Sequence, residues 1–95
     1  MAVETTLWDA SEHLDSPEAI AAYLDTALED GDPSLIAAAL GDVARAQGMT
    51  RIAKDTGLSR EALYRALGAE GHPEFATVLK VLKAFGVRLS AAPAE

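Results

Sequence analysis

The sequence has no cysteine and few aromatic residues. The absence of cysteine excludes disulfides, a thiol nucleophile and a thiolate zinc site, and it makes a cytoplasmic protein the default expectation. Aromatic residues account for 5% of the 95 residues, whereas 20 residues are alanine. Because alanine is the best helix former and strands favour aromatic and β-branched residues, this composition predicts an all-α fold.

Long apolar segments are also missing. Uncharged runs such as residues 35–41 and 75–79 fall well short of the roughly 20 apolar residues that a membrane helix needs. The first residues, MAVETTLWDASEHL, contain no lysine or arginine, whereas a signal peptide begins with a basic segment. We therefore expect neither a membrane span nor a secretory signal.

Basic residues are missing from the first 42 positions, which contain ten acidic residues. From Val43 to Leu89 there are eight basic and four acidic residues, so the two parts carry −10 and +4, and Glu95 completes the net charge of −7. This asymmetry predicts two different partners, and the basic part suits nucleic acid. The predicted division of the chain is an acidic N-terminal arm with the first helix (1–32), a second region (33–89) and a frayed tail (90–95).

Start and stop signals divide most of the chain into five helices. A capping residue precedes proline at Ser16-Pro17 and at Asp32-Pro33, which is typical of helix starts. Thr50 and Ser59 are expected to cap two short helices separated by Gly57. The predicted helices are 17–29, 33–47, 51–56, 60–67 and 73–85.

Apolar residues recur at helical spacing in three of these helices. The fifth helix is expected to bury one face and to direct Lys80 and Lys83 away from it. The residues expected to face the core are Ile20, Leu24, Ala27 and Leu28 in the first helix, Ile36, Ala39, Leu40, Val43 and Ala44 in the second, and Phe75, Val78, Leu79, Leu82 and Phe85 in the fifth.

The two short helices around Gly57 have the spacing of a helix-turn-helix. Ala53 lies four residues before the glycine, where two steeply crossing helices leave room for no more than a methyl group. Leu63 lies six residues after the glycine and is expected to fill the angle between the helices. The other inward positions are Ile52, Leu58 and Ala66. Any helical hairpin with a glycine turn shares part of this pattern, so the outer face of the second short helix decides between the two interpretations.

Long polar side chains are expected on that outer face, as a DNA-reading helix requires. Arginine binds guanine through O6 and N7, and glutamate accepts a hydrogen bond from cytosine N4. Thr50 and the amides at the start of its helix are expected to meet backbone phosphate at the positive end of the helix dipole. The candidate DNA-binding residues are Thr50, Arg51, Ser59, Arg60, Glu61, Tyr64 and Arg65.

Two segments also resemble a known family. The ending HPEFATVLKVLKAFGVRL is typical of the Xre, or lambda-repressor-like, helix-turn-helix domain, in which a proline, an apolar helix and a glycine precede a short apolar stretch. The longer segment GMTRIAKDTGLSREALYRALGAEGHPEFATVLKVLKAFGVRL is very similar to addiction-module antidote proteins, the HigA-like antitoxins. Compared with the general Xre pattern, the segment between Gly48 and Gly57 is shorter, and Arg51 stands in place of a common glutamine. The resemblance implies a five-helix, lambda-repressor-like helix-turn-helix fold in which residues 33–89 form the helix-turn-helix DNA-binding domain.

The resemblance also implies partners. It implies an antitoxin of a type II toxin-antitoxin module that neutralises a RelE/ParE-type toxin and represses its own operon by binding double-stranded operator DNA. Such toxins are small and basic, so the acidic part of the chain is expected to attract one while apolar anchors supply most of the affinity. The candidate toxin-binding residues are Leu7, Trp8 and Tyr23. A homodimer is expected because helix-turn-helix proteins normally read two half-sites, and either the fifth helix or residues 87–89 supply its interface.

Two alternative functions are a stand-alone Xre-type repressor without a toxin partner and a protein-interaction module that has lost DNA binding. For the acidic residues, the alternative to toxin capture is a solvated surface with no partner. An enzyme is not expected, because His13 and His72 have no partners for metal or triad chemistry and Ser59 has no base nearby. We expect no metal and no cofactor.

Overall fold

Five helices make up the secondary structure of residues 14–68 and 70–94, which are the residues that the computed structural model describes. No strand occurs in this part of the chain, which confirms the predicted all-α fold. None of its helices is long and apolar enough to span a membrane. The helices are α1 (Pro17–Asp30), α2 (Pro33–Gln47), α3 (Met49–Thr56), α4 (Arg60–Ala66) and α5 (Phe75–Phe85).

Side-chain oxygens cap three of the helices at the predicted residues. In α1, Ser16 Oγ accepts a hydrogen bond from the Ala19 amide at 3.1 Å, and in α4, Ser59 Oγ accepts one from the Ala62 amide at 3.0 Å. Asp32 caps α2 through its carboxylate in the same way. Each bond satisfies an amide that has no partner inside its own helix, and the helix starts therefore follow from short-range sequence signals.

The predicted cap of α3 at Thr50 is wrong. Helix α3 begins at Met49, and Gly48 is the single residue between α2 and α3. The Gly48 amide donates to the Arg45 carbonyl at the end of α2, while its carbonyl accepts from the Ile52 amide at the start of α3. Because a one-residue link leaves no room for a separate capping turn, Thr50 lies within the first turn of α3, where its side chain is exposed.

Helix α5 starts two residues later than predicted. Its N-cap is Glu74, whose backbone is extended (φ −66°, ψ 153°), and Pro73 belongs to the preceding loop. Proline suits both the first position of a helix and an extended loop, since its φ angle occurs in both. In this structure, Pro73 lies in the loop between α4 and α5.

The buried face of α5 also differs from the predicted one. Val81 is fully buried and Phe85 is 3% exposed, whereas Phe75 is 67% and Leu79 is 43% exposed. Two overlapping stripes on this helix satisfy helical spacing, and the packing of α5 against α2 and α3 turns the stripe that contains Val81 inward. Leu28, at the end of α1, was likewise expected in the core and is 43% exposed.

Helix α2 is the centre of the fold, because it packs against each of the other four helices. Val43 and Ala44 on α2 are completely buried. Apolar residues of α1 belong to the same core as those of the region after residue 32, so the acidic helix is joined to the rest of the chain by packing. The buried apolar residues of this core are Leu14, Ile20, Leu24, Ala27, Ala39, Leu40, Val43, Ala44, Met49, Ile52, Leu63, Leu67, Val81, Leu82 and Phe85.

Gly41 lies on α2 where the chain after α4 approaches most closely. A methyl group on this glycine would overlap the backbone carbonyl oxygen of Leu67. A backbone atom cannot move aside as the end of a flexible side chain can, and Leu67 is itself 1% exposed and held in the core. The distance between α2 and the end of α4 therefore requires glycine at this position.

We expect Gly41→Ala to lower the free energy of unfolding by about 1 to 3 kcal/mol, because the added methyl group overpacks a rigid contact. Gly68→Ala is the matched control, since a methyl group there meets only the Tyr64 carbonyl oxygen at 3.5 Å, an ordinary contact distance. Thermal and urea unfolding followed by circular dichroism measure both variants. Equal stability of the two variants would contradict the close approach of α2 and Leu67.

Candidate functional site

The α3–Gly57–α4 unit buries the residues that the sequence assigns to its inner side. Gly57 has a left-handed backbone (φ 78°), and its amide donates to the Ala53 carbonyl at 2.9 Å, which ends α3. Ile52 and Leu63 are completely buried. Ala53, Leu58 and Ala66 are partly buried and pack against the same core. The two short helices are thus fixed at an angle by apolar side chains on both sides of the glycine.

Thr56 also holds this unit together, and the sequence reasoning missed it. Its hydroxyl donates to the Ile52 carbonyl at 2.8 Å and accepts from the Leu58 amide at 3.3 Å, and the side chain is buried. These bonds tie the last turn of α3 to the first residue after Gly57, so they orient the start of α4. A threonine immediately before the turn glycine was the available signal, because its hydroxyl can bond to the backbone on either side.

The outer face of α4 carries four long polar side chains. Arg60, Glu61, Tyr64 and Arg65 are all exposed, Tyr64 to 48%. Within residues 14–68 and 70–94, their side chains take part in no hydrogen bond or ion pair. Ser59 differs from them, because its hydroxyl is engaged as the cap of α4. The face therefore presents two guanidinium groups, a carboxylate and a phenol to solvent on one short, rigidly held helix.

Arg51, a candidate DNA contact, is engaged within the protein. Its guanidinium donates to the Gln47 side chain on α2 and to the Ala84 carbonyl on α5 at 3.2 Å, and it lies 3.5 Å from Asp55. The residue therefore links three helices, although half of its side chain remains exposed. Thr50, next to it, is exposed. Of these two candidates on α3, Thr50 is thus exposed, whereas the guanidinium of Arg51 is bonded to neighbouring residues.

Opposite charges occupy different helices. Glu18, Asp25, Glu29 and Asp30 on α1 are exposed. Helix α1 packs mainly against α2, whereas α4 packs against α2 and α3, so α2 lies between the acidic helix and the polar face of α4.

In the described part of the chain, no group of three or more acidic or histidine side chains is placed to hold a metal ion.

Tyr23, a candidate toxin contact, bonds α1 to α2. Its hydroxyl donates to Asp42 Oδ2 at 2.6 Å, and Asp42 also pairs with Arg45 at 2.6 Å. Partial burial, followed by the bond to Asp42 and its negative charge, raises the pKa of Tyr23 to about 12. Tyr23 is 37% exposed, so part of its ring is accessible to solvent although its hydroxyl is bonded within the protein. Leu7 and Trp8, the other two candidates, lie outside the described residues.

Comparison with known proteins gives two matches. The model of a family described as "Probable addiction module antidote protein" matches residues 4–93. An uncharacterized protein of Haemophilus influenzae (strain ATCC 51907 / DSM 11121 / KW20 / Rd) is 51% identical over 81 residues, which cover 85% of this chain and 84% of that protein. No solved structure matches the chain.

The Tyr23 bond predicts a loss of stability in alkali. Because folding raises the pKa of this phenol from 10.0 to about 12, its contribution is fully present below pH 10 and disappears as pH rises towards 12. We expect Tyr23→Phe to reduce this decline in unfolding free energy, which urea titrations at several pH values measure. Tyr64→Phe is the control, since that hydroxyl has no partner in the described chain. An unchanged alkaline decline in Tyr23→Phe would contradict the assignment.

Proposed function

Since this chain belongs to the family of probable addiction module antidote proteins, we propose that it neutralises a toxin by binding it and represses its own operon by binding operator DNA. In this proposal, α3 and α4 form a helix-turn-helix of the Xre type, and α4 is the helix that enters the major groove. The toxin is of the RelE/ParE type. The two partners bind different surfaces of one small helical domain.

The observation that carries the DNA-binding proposal is the outer face of α4. Arg60 and Arg65 are exposed without a partner in the described chain and are able to bind guanine O6 and N7, while Glu61 is able to accept from cytosine N4. Ile52 and Leu63, on the inner side, hold the helix rigidly. A rigid helix with unengaged polar groups at its N-terminal end is what base reading requires.

Backbone phosphate is the proposed partner of α3. Thr50 is exposed in its first turn, where the amides at a helix start favour a negatively charged group. Arg51 contributes less direct contact than the sequence suggests, because Gln47, Ala84 and Asp55 engage its guanidinium. Its proposed role is to hold α2, α3 and α5 together beneath the phosphate contacts.

Two copies are proposed to bind one operator. A single recognition helix reads about one half-site, and two-fold related helices read two half-sites about one helical turn apart. The acidic charge of the chain opposes DNA binding unless it is held away from the duplex. The position of α2 between α1 and α4 supports such a separation.

Toxin capture is proposed for the acidic part of the chain. The exposed carboxylates of α1 complement a basic toxin and would speed association, whereas apolar contacts supply most of the affinity. Tyr23 contributes at most its accessible ring edge, because its hydroxyl is already bonded to Asp42.

Replacing Arg60 and Arg65 with alanine together should cost about 1 to 3 kcal/mol of operator binding per lost base contact and should abolish discrimination between operator and unrelated DNA. The control is Arg45→Ala with Arg88→Ala, which removes the same charge from exposed positions elsewhere. Fluorescence anisotropy with the DNA upstream of this gene, at one fixed salt concentration, measures both. Unchanged discrimination in the α4 variant would remove these residues from the reading surface.

Co-expression tests the antitoxin half of the proposal. We expect the product of the neighbouring gene to arrest growth when expressed alone, and growth to recover when this protein is expressed with it, because the complex masks the toxin. Colony counts and co-purification measure the two effects. If operator binding is normal but the neighbouring product is neither toxic nor bound, the protein acts as a repressor without a toxin partner.

A further inference from the structure

An apolar cleft of about 350 Å³ lies where the α1–α2 junction faces the loop before α5 and the segment after it. Its floor includes Leu40, which is buried, and its walls include Leu28, Phe75 and Leu89, which are 43%, 67% and 37% exposed. No aspartate, glutamate, lysine or arginine lines it. Contiguous apolar surface that is exposed to water is a candidate binding site, because its exposure is unfavourable.

Exposed acidic residues adjoin the lining residues of this apolar cleft along the chain. Asp32 adjoins the lining residue Pro33, and Glu74 stands between the lining residues Pro73 and Phe75. One exposed basic residue, Arg88, adjoins the lining residue Leu89. Five exposed acidic residues adjoin either a lining residue or the α1–α2 junction. We call them the acidic rim: Glu29, Asp30, Asp32, Glu70 and Glu74.

The negative charge of the acidic rim indicates whether a second copy of this chain or a different protein occupies the cleft. Two copies that met through this surface would bring two acidic rims together, and each copy already carries a net charge of −7. Like charges at an interface oppose association and act as a barrier to the wrong partner. A positively charged protein gains the same apolar burial and finds opposite charges around it, so charge complementarity favours a basic partner.

We propose that the apolar cleft is the docking site of the toxin, which inserts a large apolar side chain between Leu28, Phe75 and Leu89 while its lysines and arginines face the acidic rim. The inference rests on the proposed function for the existence of a toxin partner. It moves the main contact from Tyr23, which lies in the middle of α1 with its hydroxyl bonded to Asp42, to the C-terminal end of that helix. The polar face of α4 contributes no residue to the lining of the cleft, so toxin and DNA have separate sites on one copy.

The apolar part of the site is tested with Phe75→Ala. This side chain is mostly exposed, so the variant is expected to fold, which circular dichroism checks. Surface plasmon resonance with the purified product of the neighbouring gene should show faster dissociation and an affinity weakened on the order of tenfold to thirtyfold, as for a central apolar anchor. The matched control is Leu79→Ala, on the same helix with a 43% exposed side chain that does not line the cleft, and its dissociation rate should stay close to that of the unmodified protein.

The acidic rim is tested through the association rate. Glu29→Gln with Glu74→Gln should slow association at low salt, and the difference should shrink as salt rises, because screening removes long-range attraction. Asp15→Asn with Glu18→Gln changes the net charge equally at the other end of α1 and should slow association less.

The outcomes separate this inference from the proposed function. If the unmodified protein binds the neighbouring product and Phe75→Ala binds it equally well, the cleft is not the docking site, although toxin capture stands. If the unmodified protein does not bind, toxin capture itself fails. If Phe75→Ala instead breaks a homodimer in sedimentation experiments, or alters the fluorescence of Trp8 in the unbound protein, with toxin affinity unchanged, then a second copy or residues 1–13 occupy the cleft and the inference is wrong.

Discussion

The close approach of α2 to the chain at the end of α4 is the contact on which the arrangement of this domain depends. Helix α2 packs against all four other helices, and at Gly41 it meets the Leu67 carbonyl with no space for a methyl group. Alanines at positions 37, 39 and 44 keep the surface of α2 similarly thin. A domain with a small core gains much of its stability from such close contacts, since dispersion attraction falls quickly when a gap opens. The alanines of α2 thus allow the other helices to approach this central helix closely.

The same central helix separates the two charged surfaces. Apolar residues of α1 and α4 belong to one continuous core, and α2 packs between these two helices, whose acidic and polar residues face solvent. This arrangement lets a chain with a net charge of −7 present the guanidinium groups of α4 apart from the carboxylates of α1, as the proposed DNA binding requires, because local surface charge governs binding more than the total charge does. The apolar cleft with its acidic rim is also distinct from the polar face of α4, because its lining comes from α1, α2, α5 and the adjoining segments.

Much of the fold and part of the candidate site were predictable, because short-range signals carried them. Ser16, Asp32 and Ser59 cap helices as expected, and Ile52 and Leu63 are buried where the spacing around Gly57 placed them. The start of α3 was not predictable from Thr50, because a single glycine, Gly48, serves as the end of one helix and the N-cap of the next. The role of Arg51 was not predictable either, since Ala84, one of its partners, lies 33 residues away.

The sequence by itself determined the helical class, most helix boundaries, the turn at Gly57 and the uneven distribution of charge, because each depends on residues within a few positions of one another. Only the tertiary structure decided which of two apolar stripes α5 buries. Both stripes satisfy helical spacing, and contact with α2 and α3 turned Val81 inward and left Phe75 exposed. That choice joins Phe75 to Leu28 and Leu89 across the fold and forms the apolar cleft. A surface assembled from residues so far apart in the chain has no local pattern by which a sequence could reveal it.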